Sequence, residues 1–254
     1  MKVVRTIAEL QPEPRSGLVP TMGAFHDGHR ALCRAARAEN ERVVASLFVN
    51  PAQFEEQADL ERYPRDEARD LEIAEAEGVD VVFAPAAEEL YPAGFATWVD
   101  PQDAGAEAAA RPGHFRGVAT VCLKLFNLIR PARAYFGQKD AQQVIVIRRL
   151  VRDLNVPVEI RVVPTVRDPD GLALSSRNDR LSAEERERAL GLPSALAAAA
   201  REPDPVAAAR ASLNGLVPDY VEVLDLGDAK VLASAIRVGS TRLIDNVLLE
   251  GEIR

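Results

Sequence analysis

Residues 17–36 read GLVPTMGAFHDGHRALCRAA, and the texture of the chain changes twice within that stretch. Leu18-Val19-Pro20 is an apolar run closed by a proline, which suits the end of a buried strand. Residues 30–37, rich in Ala, Leu and Arg, read as a helix. Between the two, Gly23 and Gly28 free the backbone for a tight strand-to-helix passage. That passage aims the helix's unpaired N–H groups, and the positive end of its dipole, at whatever lies beyond the strand. A phosphate is the natural occupant.

The two histidines in the turn sharpen this expectation. His26 and His29, three apart at a helix start, can face one side and hydrogen-bond to the oxygens of a phosphorus centre as charge builds in its transition state. Taken alone, such a pair is as readily two surface or metal-binding histidines. Here both sit among glycines in a chain with three histidines altogether. The pattern resembles the HxGH signature of the nucleotidyltransferase superfamily, which implies attack at an α-phosphate with pyrophosphate leaving.

Outward from this turn, strand-like and helix-like runs alternate. Strands are predicted at 42–49 (RVVASLFV), 79–84, 132–136 and 158–166, with a short one at 97–99. Helices are predicted at 65–77, 117–129 and 141–154. This order predicts an α/β fold: a parallel sheet with helices on both faces and ligands at the carboxyl ends of the strands. Beyond residue 170 the pattern changes. A helix over 181–200 opens on the capping-box pair Ser182 and Glu185, and a second follows at 206–213. Three strands at 220–226, 231–238 and 242–249, turning at Gly227 and Gly239, read as an antiparallel meander. The expected division is 1–168 for the nucleotide- and acid-binding domain and 169–254 for a smaller α+β domain.

At 254 residues and 47% hydrophobic content the chain can bury a real core. A net charge of −8 argues against a nucleic-acid partner, there being no basic excess to neutralise phosphates. No run approaches the ~18 apolar residues of a membrane span, and residues 1–6 lack the long apolar core of a secretory leader. Cys33 and Cys122 are far apart and form no CxxC, which fits buried thiols of a cytoplasmic protein.

Loops after the strands carry the remaining chemistry. Gly137-Gln138-Lys139-Asp140 follows a strand and opens a helix, so it repeats the logic of the first turn: a glycine for close approach, a lysine for phosphate charge, an aspartate for a ribose hydroxyl. Leu174-Ser175-Ser176-Arg177 offers two hydroxyls and a guanidinium to a polyphosphate. Three such loops together describe an ATP site. Asn50, Gln53 and Gln143 are amides beside apolar residues, suited to orienting the hydroxyl and carboxylate groups of a small acid. From the residues alone, the chain reads as an ATP-dependent enzyme that activates a small acid.

Six segments in order then carry a resemblance: PTMGAFHDGH (20–29), FVNPAQF (48–54), YPRDEARD (63–70), RPGHFRGV (111–118), YFGQKDAQQ (135–143) and DGLALSSRN (170–178). Almost end to end, the chain resembles the pantothenate synthetase (pantoate:β-alanine ligase) family. The resemblance implies a Rossmann-like ATP-binding domain, a C-terminal lid domain, a homodimer, and a reaction joining pantoate to β-alanine through a pantoyl-adenylate with ATP and Mg2+. By motif, Met22, Gly23, Ala24, Phe25, His26, Asp27, Gly28 and His29 would line the triphosphate, with His29 as proton donor. Gly137, Gln138, Lys139, Asp140, Val166, Leu174, Ser175, Ser176 and Arg177 would complete the ATP site, with Lys139 catalytic alongside His26 and His29. Gln53 would bind pantoate and β-alanine, Gln143 would bind pantoate, and Asp70 matches a carboxylate near the magnesium. Phe25, Asp27, Arg30 and the segment 104–110 depart from the usual family pattern. Two other readings are another HxGH nucleotidyltransferase, which would need a nucleotide or phosphoester acceptor, and a non-catalytic nucleotide-binding regulator, which would not need both histidines and Lys139.

Overall fold

The computed structural model describes residues 1–102 and 105–253; Ala104, in one of the departing segments, lies outside the described residues. The chain divides into two compact units, Met1–Phe136 with Val146–Val163, and Gly137–Ile145 with Pro164 onward.

Among the described residues the first unit is built on six strands, β1 (Lys2–Val4), β2 (Ser16–Thr21), β3 (Arg42–Leu47), β4 (Val81–Phe83), β5 (Arg133–Gly137) and β6 (Glu159–Val163), in the order β1-β4-β3-β2-β5-β6. Their pairings are parallel, as the alternation of strand and helix predicts. From β2 the chain steps through β3 to β4 on one side and returns to β5 on the other. The loop leaving β2 therefore stands at the point where the winding reverses, the usual place for a ligand in such sheets.

The helices that accompany these strands are α1 (Asp27–Glu39), α2 (Gln57–Glu61), α3 (Glu67–Ala76), α4 (Ala87–Leu90), α5 (Gly105–Ala110), α6 (His114–Ile129) and α7 (Ala141–Asp153). Leu32, Cys33 and Ala36 of α1 and Ala74 of α3 pack with Val19, Val43, Ala45 and Val82 of the strands in one apolar cluster. The nearly all-apolar α6 buries residues around most of its circumference, as its sequence predicts for a core helix. Gly117 on α6 lets the helix meet the turn at Pro51–Gln53, because a Cβ there would lie 2.3 Å from the carbonyl oxygen of Ala52.

In the second unit, β7 (Pro218–Asp225), β8 (Ala229–Val238) and β9 (Thr241–Gly251) form the expected antiparallel meander. Helices α8 (Ala183–Ala189), α9 (Gly191–Ala199) and α10 (Pro205–Ser212) cover it, with Leu192, Leu196, Leu213, Leu232 and Ile236 in the shared core.

Three differences from the sequence reading have local causes. No strand forms at 97–99: Trp98 stacks on Tyr91 at 5.8 Å and the Val99 N–H donates to Thr120 Oγ1 at 3.0 Å, so the segment is held by an aromatic cluster and a side chain rather than by a ladder. The helix expected over 181–200 is two, because Pro193 has no N–H for the carbonyl of Ala189. Its capping box at Ser182 and Glu185 forms as predicted. Strand β1, three residues long and without alternation, carried no legible signal.

Candidate functional site

Strand β2 ends at Thr21, whose hydroxyl donates to the Ser46 carbonyl at 2.6 Å and whose N–H donates to Ser46 Oγ at 3.2 Å, so the start of the next loop is tied to β3. Gly23 and Ala24 then take left-handed conformations, φ 86° and 54°. This turns the N–H groups of Ala24 and Phe25 toward one carboxylate: they donate to the two oxygens of Asp70 at 2.8 and 2.7 Å. Asp70, 3% exposed, comes from α3. Burial raises its pKa, opposed by the two N–H groups that stabilise the charged form.

The same loop delivers His26 to the N-terminus of α1. His26 Nδ1 accepts the Gly28 N–H at 3.1 Å, and the His26 N–H donates to His29 Nδ1 at 3.3 Å, a reciprocal cap in which the usual hydroxyl and carboxylate are both replaced by imidazoles. An Nδ1 that accepts carries no hydrogen, which in a neutral imidazole leaves the hydrogen to Nε2. Their centroids are 4.2 Å apart, and Phe25 stacks on His29 at 5.1 Å. The departures at this helix start have partners: Phe25 is part of the core cluster, and Arg30 pairs with Glu77 at 2.9 Å. Asp27 is exposed.

Beside this loop is an amide cluster. Asn50 caps the Pro51–Gln53 turn, accepting the Ala52 N–H and the Tyr91 hydroxyl on Oδ1, and donating from Nδ2 to Gln53 Oε1 at 3.0 Å and the Gly117 carbonyl at 3.1 Å. Its two donors and two acceptors are all engaged at 1% exposure. Asn50, expected at the acid site, thus also braces the side chain of Gln53. Gln53 Nε2 donates to Met22 Sδ at 3.1 Å, which joins the amide to the first loop. Its backbone carbonyl meets His114 Nδ1 at 2.9 Å.

The remaining expected residues belong to the second unit. Gln138 is buried, while Lys139 and Asp140 are half-buried. Asn246 of β9 donates its two amide hydrogens to the carbonyls of Gln138 and Lys139 at 2.8 and 3.0 Å, and accepts from Gln138 Nε2 at 2.9 Å. These bonds explain why Gly137–Ile145 groups with the later part of the chain. Next to Asn246, Asp245 takes a bidentate pair from Arg167 at 2.7 and 3.0 Å. The Leu174 N–H donates to the Val166 carbonyl at 3.0 Å, so these two expected residues are neighbours, and Ser175 Oγ accepts the Arg177 N–H at 3.2 Å. Gln143 is half-buried on α7, whereas its neighbour Gln142 is buried and hydrogen-bonded to Glu222. Sequence reasoning missed Asn246, Asp245, Arg167 and His114. A polar Asp-Asn pair inside the apolar run of β9 was the available signal for the first two.

Magnesium held by protein alone does not fit these residues. Both Asp70 oxygens already accept backbone N–H groups, and among the described residues no group of three or more His, Cys, Asp and Glu is arranged to hold an ion. The elements chemically suited to an anion are the N–H groups and imidazoles at the start of α1 and, in the second unit, Lys139 and the Ser175–Arg177 turn.

Residues 1–248 match the family model described as pantoate-beta-alanine ligase. Pantothenate synthetases of Roseiflexus sp. (strain RS-1) and Chloroflexus aurantiacus are 53% and 52% identical, over 98% and 99% of this chain and 100% and 99% of theirs. The crystal structure of pantothenate synthetase from Thermus thermophilus superposes with a TM-score of 0.92 at 45% identity, covering 98% of this chain and 99% of that one. That of pantoate-beta-alanine ligase from Francisella tularensis, complexed with beta-gamma ATP and beta-alanine, does so at 0.84 and 36%, covering 99% of each. With its HxGH cap, its amide cluster and a match along nearly its whole length, this chain belongs to the pantoate-β-alanine ligase family.

Proposed function

We propose that the chain condenses pantoate with β-alanine at the expense of ATP, giving pantothenate, AMP and pyrophosphate. A pantoate carboxylate oxygen attacks the α-phosphorus and pyrophosphate leaves; the amine of β-alanine then attacks the acyl carbon of the pantoyl-adenylate, and AMP leaves. The observation that carries this reading is the reciprocal imidazole cap, which sets His26 and His29 at the positive end of α1, where charge on a pentacovalent phosphorus would build. His26 and His29 hold that charge, with His29 as proton donor, and Lys139 with Ser175, Ser176 and Arg177 meets the triphosphate. Gly137, Gln138, Asp140, Val166 and Leu174 shape the rest of the nucleotide site. Gln53 reads pantoate and β-alanine, and Gln143 reads pantoate.

Magnesium enters with ATP and offsets phosphate charge, while Asp70 acts on the loop that meets the nucleotide. Residues 1–168 form the ATP- and pantoate-binding domain and 169–254 the lid. The enzyme works as a cytoplasmic homodimer. No helix of the described residues is long and apolar enough to cross a membrane. Sedimentation of the purified chain tests the dimer.

Isotope exchange between pyrophosphate and ATP tests the chemistry. Pantoate alone, without β-alanine, should support it. Exchange that required β-alanine, or that ran with a nucleotide acceptor in place of pantoate, would overturn the adenylate route.

A further inference from the structure

His114 opens α6 and is buried between two groups of fixed hydrogen-bonding character. Its Nδ1 lies 2.9 Å from the backbone oxygen of Gln53, which only accepts. Its Nε2 lies 3.1 Å from Nη1 of Arg111, a guanidinium that only donates. One protonation state satisfies both neighbours: a neutral ring with hydrogen on Nδ1 and a bare Nε2. The imidazolium would turn an N–H toward a second cation, and the other neutral form would set two donors and two acceptors face to face. Arg111 is in turn oriented by Glu107 of α5, which is 5% exposed and 3.8 Å away.

Gln53 is thus gripped at three points, its Oε1 by Asn50, its Nε2 by Met22 and its backbone carbonyl by His114. The close packing of Gly117 against the same turn leaves it little room to shift: a Cβ there would sit 2.6 Å from the Gln53 nitrogen.

We propose that His114, fixed by Arg111 as the neutral Nδ1–H form, is a positioning residue that sets the Gln53 amide for recognition of the acid substrate. The idea rests on Gln53 reading pantoate. It also makes the three histidines of the chain two kinds, since His26 and His29 accept on Nδ1 and carry hydrogen on Nε2. Glu107, Arg111 and His114 then form a line of support reaching the substrate amide from outside the site.

Nitrogen-15 NMR of the whole enzyme labelled at histidine reads the tautomers directly, with the His114 signal assigned by its loss in His114→Asn. One ring protonated on Nδ1 and two on Nε2 is expected. A His114 that is an imidazolium, or that carries hydrogen on Nε2, overturns the proposal without touching the assigned reaction. Two substitutions then separate positioning from packing. His114→Asn keeps a donor near the Nδ1 position, and His114→Gln moves it toward Nε2. The KM for pantoate should stay within about twofold in the first and rise about tenfold in the second, with the KM for ATP unchanged in both. Equal effects of the two variants on pantoate, or a matching loss for ATP, overturn it. If Gln53→Ala leaves the pantoate KM unchanged, the reading of Gln53 fails instead, and the NMR result still stands.

Discussion

Asn246 and Gln138 hold each other by their side-chain amides across 108 residues of chain, Gln138 Nε2 donating to Asn246 Oδ1 at 2.9 Å. Asn246 also donates to the carbonyls of Gln138 and Lys139, so a strand of the last meander fixes the backbone around Lys139. Each lost buried bond costs roughly 1–3 kcal/mol, and a residue 1% exposed cannot replace it with water.

Asn246→Asp keeps the shape and removes both donors, setting a carboxylate against two carbonyls. We expect the KM for ATP to rise about tenfold or more, with the pantoate KM within about twofold. The same network predicts a milder loss for Asn246→Ser. Steady-state kinetics with each substrate varied would decide: an effect of equal size on both constants would mean that Asn246 only stabilises the meander.

The imidazole cap predicts a separation of stability from turnover. Losing a cap costs about 1 kcal/mol of folding stability, whereas losing a donor to the transition state costs about a hundredfold or more in kcat. His26→Ala should show both losses. His26→Asn keeps a side-chain acceptor near the Gly28 N–H and should recover the stability, measured by urea unfolding, without recovering turnover. If His26→Asn turned over at a near-normal rate, the cap alone would be what the site needs.

Alkaline stability follows from the buried thiols. Burial pushes Cys33 and Cys122 up to about 12 from an ordinary 9.0. Between those values the unfolded chain releases protons that the folded chain keeps, so stability falls as pH rises through that window. At pH 10 each thiol should cost about 1.4 kcal/mol. Unfolding free energies of wild type and of the Cys33→Ala, Cys122→Ala double variant at pH 8 and pH 10 test this. The variant should lose roughly 2–3 kcal/mol less over that interval, beyond any constant cost of the two cavities, and parallel losses would refute it.

Much of this was legible in the sequence for a physical reason: alternation of β-branched runs with amphipathic ones reports burial directly, so the parallel sheet and the meander could be read. The HxGH turn was legible because glycines and histidines leave few other uses for that spacing. Hydrogen-bond saturation was not. Whether Asn50 faces a ligand or its own neighbours depends on Tyr91 and Gly117, 41 and 67 residues away. The partners of Asn246 and His114 were illegible for the same reason: the carbonyls of Gln138, Lys139 and Gln53 that they meet lie 108, 107 and 61 residues away.

Asp70 gives the sharpest division between two roles for one carboxylate. If it held magnesium, replacing it with Asn would raise the metal concentration needed for half-maximal activity. If it clamps the loop, the change acts elsewhere. In Asp70→Asn the new amide nitrogen would face either the Ala24 N–H or the Phe25 N–H, now at 2.8 and 2.7 Å from the carboxylate, and two donors cannot share that distance. The left-handed turn at Gly23 and Ala24 then loses one of its two restraints, and His26 loses its fixed approach to α1. We therefore expect Asp70→Asn to lower kcat by about tenfold or more and to raise the KM for ATP, with the magnesium requirement at saturating ATP unchanged within about twofold. Metal titrations of activity in both forms make the measurement. A requirement that rose about tenfold, with the KM for ATP unchanged, would return Asp70 to the metal.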